Sequence, residues 1–195
     1  MGLHARAVVL AAGLAIVAAP ATVDARVTTT VTVFHAFTPS GSSTIAIHHA
    51  SGSCFSSSET TRRSDAWRCM VANELHDPCF SSPRAPNTVI CPNADPTIGL
   101  EINLTKPLPT ALANHGSPSA RSQPWTLELS SGAHCAFSGG ASSVIHGVRL
   151  NYFCAGSKEG LWGYPRRDTE PWTIFSAPFT ARRLTRRVAI RHVWT

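Results

Sequence analysis

The stretch Gly52–Cys91 reads GSCFSSSETTRRSDAWRCMVANELHDPCFSSPRAPNTVIC and holds four of the six cysteines in the chain. That density of cysteine, in a chain rich in Ser and Thr and poor in charge, indicates disulfide bridges. Zinc is the competing use of Cys and His, but no C-x-x-C or H-E-x-x-H spacing occurs, so no metal is expected. Six cysteines admit many connectivities, and pairing between sequence neighbours is the expected arrangement: Cys54–Cys69, Cys79–Cys91 and Cys135–Cys154. Each bridge closes a loop of moderate length and stabilises by about 3 kcal/mol through the unfolded state.

Within this stretch Ser64 has the chemistry of a helix cap and Asp65 that of a first-turn acid. Trp67, Met70, Val71 and Leu75 recur at helical spacing, and Pro78 stops the element. The pattern predicts one short helix over 64–76, with Cys69 inside it and the bridges holding what propensity alone would not.

Outward from it, strands predominate. Val27, Val31, Val33 and Phe37 share one face of a predicted strand over 26–37, and Ile45 and Ile47 share one face of another over 44–49. Thr88–Cys91 reads as a short buried strand. Ile98, Leu100, Ile102 and Leu104 alternate with Gly99, Glu101 and Asn103 in a half-buried one. Similar patterns cover 125–129, 133–137, 148–154, 171–175 and 188–194. About eight short strands between turn signals give a mainly β fold, a disulfide-stapled β-sandwich or small barrel. Periodicity does not choose between those two.

The N-terminus has a different composition. Arg6 precedes the apolar run Ala7–Ala19, and Val23-Asp24-Ala25 offers a small-residue cleavage pattern, so 1–25 is expected to be a signal peptide cut after Ala25. The run is too short to span a bilayer, and no later segment is apolar and long enough to do so. Residues 26–195 then form a single secreted β-rich domain that keeps the net charge of +6. Its segment 106–124, rich in Pro and Ser, is expected to be an exposed loop, and 181–195 a basic C-terminal segment.

The run Ser64-Asp65-Ala66-Trp67-Arg68-Cys69-Met70, followed by Asp77-Pro78-Cys79-Phe80, resembles a group of secreted actinobacterial proteins, and the similarity extends to Cys154. The resemblance implies a secreted, disulfide-bonded chain and carries over no catalytic residue.

Chemistry is sparse. Glu74, His76 and Asp77 set a base between two acids, but nothing nearby reads as a positioned nucleophile. Glu101 and Glu128, on polar strand faces, would serve glycoside cleavage only if the sheet made them neighbours. His134 and His146 would meet only across a hairpin. No G-x-S-x-G elbow occurs, and Gly139-Gly140 is a turn that opens no helix, so no cofactor is expected.

The basic residues say more. Arg166, Arg167, Arg182, Arg183, Arg186 and Arg187 dominate the last third of the chain, with Trp162, Tyr164 and Trp172 close to the first pair. Arg182 with Arg186, and Arg183 with Arg187, would stack on one side of a helical turn. Guanidinium groups attract anionic polymers over distance and hold them through forked hydrogen bonds, and flat rings add stacking. A secreted chain without a reading motif has no call on nucleic acid. The expectation is a non-enzymatic secreted domain that binds an anionic cell-envelope component. The alternatives are a small hydrolase of envelope glycan, peptide or ester, and a module for a protein partner.

Overall fold

The computed structural model describes residues 27–110, 123–138 and 142–195. The expected signal peptide over 1–25, most of the expected loop over 106–124 and the Gly139-Gly140 turn lie outside them. Thirteen strands follow in order: β1 (Thr30–Thr32), β2 (Ala46–Ser57), β3 (Ala66–Val71), β4 (Glu74–Ser82), β5 (Ala85–Pro92), β6 (Ile98–Leu104), β7 (Thr126–Leu129), β8 (His134–Phe137), β9 (Val144–Ile145), β10 (Val148–Cys154), β11 (Glu159–Arg166), β12 (Thr173–Pro178) and β13 (Arg187–Trp194).

The strands close two barrels. In the first, β2 to β6 form a meander in which each strand pairs with the next. An odd number of alternating strands leaves first and last pointing the same way, so closure pairs β2 with β6 in parallel, from Ala46↔Ile98 to Gly52↔Leu104. Gly52 sits where β2 presses on β3: a Cβ there would lie 2.4 Å from the Met70 carbonyl oxygen. The second barrel runs β7-β8-β10-β11-β12-β13 and closes with β13 antiparallel to β7. Strand β12 pairs with the first half of β13 only. Strand β1 lies parallel to the second half, Thr30↔His192 to Thr32↔Trp194, so the N-terminal strand belongs to the C-terminal barrel.

The helix expected over 64–76 is absent. Those residues form β3, a two-residue turn at Ala72-Asn73 and the start of β4, and no helix occurs among the described residues. The helical spacing of Trp67, Met70, Val71 and Leu75 leaves out Cys69, which is a fully buried core residue. Trp67, Cys69 and Val71, two apart, all face the core of the first barrel beside Cys54, Cys79, Val89, Cys91 and Ile102. Pro78 does not end an element either; it sits where the β3–β4 register slips, a position that tolerates a missing N–H.

All three bridges pair as expected: Cys54–Cys69, Cys79–Cys91 and Cys135–Cys154. Cys54 and Cys69 are direct partners across β2 and β3, as are Cys135 and Cys154 across β8 and β10. Neighbours in sequence became neighbours in space because hairpins brought them together.

A shared cluster joins the barrels. Ala66, Phe80 and Ile90 lie side by side on β3, β4 and β5, and they pack against Phe34, Ala36 and Trp125. Phe34 lies 5.3 Å from both Phe80 and Trp125, edge-on to the latter. Arg63 closes one side, its guanidinium 4.3 Å above the Phe80 ring and bonded to the Phe34 carbonyl oxygen. Trp125 is buried, and its Nε1 has no hydrogen-bond partner among the described residues.

Trp125→Ala should therefore lower unfolding free energy by about 3–5 kcal/mol, the cost of emptying a large aromatic site. Trp125→Phe keeps most of the contact and removes an unpaired donor, so about half that loss or less is expected. Urea unfolding of both variants checks the ranking.

Candidate functional site

The six arginines singled out in the sequence are all exposed on the C-terminal barrel. Arg166 ends β11 and Arg167 follows it; Arg182 and Arg183 lie in the loop before β13; Arg186 precedes that strand and Arg187 begins it. The expected helical stacking of Arg182 on Arg186 and of Arg183 on Arg187 is not present, because this segment is loop running into strand. Arg187 instead lies 3.8 Å over the Phe175 ring, the residue opposite it on β12. Arg167 lies 4.9 Å over Trp172 and donates to Gln123 Oε1 at 2.8 Å. Arg166 forks onto Asp168 at 2.6 and 2.8 Å, and this hydrogen bonding holds the Asp168 carboxyl below the usual carboxylate range. Arg186 reaches Glu159 and Ser176 Oγ. Arg182 and Arg183 form no ion pair among the described residues.

The three aromatic candidates part company. Trp172 is half-buried beneath Arg167, with Nε1 donating to Glu170. Tyr164 packs on the second barrel's core and stacks on Phe137. Trp162 is fully buried, donates to the Ala177 carbonyl oxygen and offers no surface. Phe175, passed over in the sequence, supplies the second ring under a guanidinium. Its signal was the strand pairing that sets it opposite Arg187, which local pattern does not contain.

The Glu74, His76 and Asp77 trio does not converge. On an extended strand Glu74 and His76 share a face while Asp77 turns away. Asp77 is nearly buried and accepts from Ser58 Oγ, from Thr60 Oγ1 at 3.1 Å and from the Glu59 N–H at 3.0 Å, with Arg68 Nε 3.7 Å away. Burial pushes its pKa up against those hydrogen bonds and the Arg68 charge. Burial likewise pulls the His76 imidazole down, and its Nε2 lacks a partner among the described residues.

Glu101 and Glu128 are not neighbours: Glu101 pairs with His49 on the first barrel, and Glu128 lies on β7 of the second. His146 occupies the tight turn between β9 and β10 and does not meet His134. The sulfurs of Cys69, Cys79 and Cys91 lie within 4.8 Å of one another, but each is bound in a bridge.

The strand register assembles a row that the sequence did not show. His134, Glu128 and His192 lie directly opposite one another on β8, β7 and β13. Glu128 is only 7% exposed and is paired with Arg191. His134 Nε2 is 3.9 Å from Glu128 Oε1, and its Nδ1 is 4.0 Å from Asp95 Oδ2, contributed by the first barrel. His192 stacks on Trp194 at 4.0 Å, and its Nε2 is 2.7 Å from Thr32 Oγ1. Burial lowers the His192 pKa, partly opposed by Glu128. Both contacts of His134 are longer than hydrogen bonds, and no Ser, Thr or Cys side chain is bonded to it among the described residues.

Asp77 sets a pH dependence of stability. Its folded-state pKa is raised, so the folded protein holds this proton more tightly than the unfolded chain. The contribution is therefore complete below the ordinary carboxyl value and is lost as pH rises through the raised one. Asp77→Asn should remove it: the wild-type minus variant stability should fall as pH rises above about 4 and level off once pH exceeds the raised value. Urea midpoints at several pH values test this, and a constant difference overturns the assignment.

The sequence matches no protein-family model, no curated protein and no solved structure. Geometry alone bears on function.

Proposed function

We propose that this chain is an exported, non-catalytic binding module that takes an anionic cell-envelope polymer on the exposed arginines of its C-terminal barrel. The observation that carries the reading is the exposure of all six arginines, with Arg182 and Arg183 in no ion pair among the described residues. Two more, Arg167 and Arg187, lie 4.9 and 3.8 Å over the Trp172 and Phe175 rings, contacts that limit their side-chain freedom before an anion arrives. The carboxylates beside them are Glu159, Asp168 and Glu170, half as many as the arginines. Export is supported by the three disulfides and by the apolar N-terminal run. No helix among the described residues is long and apolar enough to cross a membrane.

One observation favours a second reading, hydrolysis of envelope glycan, peptide or ester: the Asp95, His134 and Glu128 chain, which could serve as a general base. Both readings meet in one experiment. Oxidised protein is sedimented with purified cell-envelope fractions across a salt series, and the supernatant is assayed for released fragments. Pelleting at low salt, lost at high salt and without fragments, is expected. Arg182→Ser combined with Arg183→Ser should cut it several-fold. Retention that ignores both salt and these substitutions overturns the proposal; fragments that vanish in His134→Ala establish the second reading instead.

A further inference from the structure

The second barrel is open at one end. A cavity of about 360 Å³ lies there, bounded by the turns after β7 and β10 and the start of β13. Leu129, Cys154, Leu161 and Val188 form its floor and wall. All four belong to or pack on the barrel's core, so the space is the unfilled last layer of the interior. It is unfilled because Ala133, Cys154 and Ser176 are small where a large side chain would plug the end. Barrel mouths of this kind are frequent ligand sites, and this volume lies toward the small end of their range.

The rim is polar on one edge. Ser176 is buried, donates from Oγ to Glu159 Oε2 at 2.6 Å and accepts from Arg186 Nη2 at 3.2 Å. Glu159 and Arg186 are themselves paired. Acid and base thus satisfy each other, and a further charge brought into this mouth would find no counter-charge left for it. The Ser130, Ser131 and Ser157 hydroxyls complete an edge able to donate and accept hydrogen bonds.

From this combination we propose that the mouth of the C-terminal barrel binds a small neutral amphiphile, with an apolar chain on the floor and one hydroxyl or amide head at the serine edge. Such a molecule buries its chain against the core layer and leaves the Glu159–Arg186 pair intact. A carboxylate or quaternary ammonium head on the same chain would have to break that pair or remain unmatched. The site does not depend on Arg182 and Arg183, and its failure would leave their part in polymer binding untouched.

The test titrates the full, oxidised chain with 1-decanol, decanoate and decyltrimethylammonium, followed by backbone amide NMR and calorimetry. Decanol should saturate one site, moving the amides of 129–133, 154–159 and 186–189, and each charged analogue should bind at least tenfold more weakly. Ala133→Phe places a ring in the mouth and should weaken decanol at least tenfold with near-ultraviolet circular dichroism unchanged. If that variant does not fold, Ser131→Trp, at an exposed turn position, covers the opening from outside and should have the same effect. Arg182→Ser with Arg183→Ser should leave decanol binding as it was. No saturable decanol binding, equal binding of decanoate, or binding that survives the folded blocking variant overturns the proposal.

Discussion

The packing of Phe80 against Phe34 and Trp125 is the contact on which the rest of this structure depends. Phe80, with Ala66 and Ile90 beside it, sits on the outer face of the first barrel, where water would otherwise reach three adjacent strands. Phe34 comes from the segment leaving β1, and Trp125 stands at the entry to β7. The cluster therefore ties together the start of the described chain, the middle of the first barrel and the beginning of the second. Both faces of β4 and β5 are buried here, with Cys79 and Cys91 inward and Phe80 and Ile90 outward. Loss of the cluster would expose one whole side of each strand, which couples the two barrels in unfolding.

That double burial also explains what was legible in the sequence. Strands β6 and β10 could be read at their full length because Ile98 to Leu104 and Val148 to Cys154 alternate plainly. The bridges were legible because antiparallel hairpins place sequence neighbours opposite each other. Strand β11 was not, since Leu161 serves the barrel core and Trp162 an outer cluster, and neither polar alternation nor helical spacing results. The helix expected over 64–76 failed for a related reason. Its apolar residues at Met70 and Leu75 are strand residues facing outward, partners across β3 and β4, and the inward set of Trp67, Cys69 and Val71 has a period of two.

Functional residues divide along the same line. Exposure of the arginines follows from their chemistry and could be expected from composition. The His134, Glu128 and His192 row could not, because it exists only through the pairing of β13 with β7, strands separated by the whole of the second barrel. Trp162 shows the converse. Its place near Arg166 and Arg167 in the sequence suggested a surface ring, while alternation along β11 turned it into a packed cluster with Leu150 and Ala177.

The arginines of this protein form two populations with different consequences. Arg68 is largely buried beside Asp77 and Glu59, so a ligand that took it away would strand buried carboxylates. Arg166 with Asp168 is a solvent-facing pair. Water and salt already screen such pairs, and exchanging one carboxylate for another anion costs little. The ring contacts of Arg167 and Arg187 survive that exchange, because a guanidinium can stack on its face and donate from its edge at once. The exposed set can thus change anionic partners while the strands beneath it stay in place. The buried set cannot, which is why the proposed binding draws on the exposed arginines of the second barrel and leaves the joint between the barrels intact.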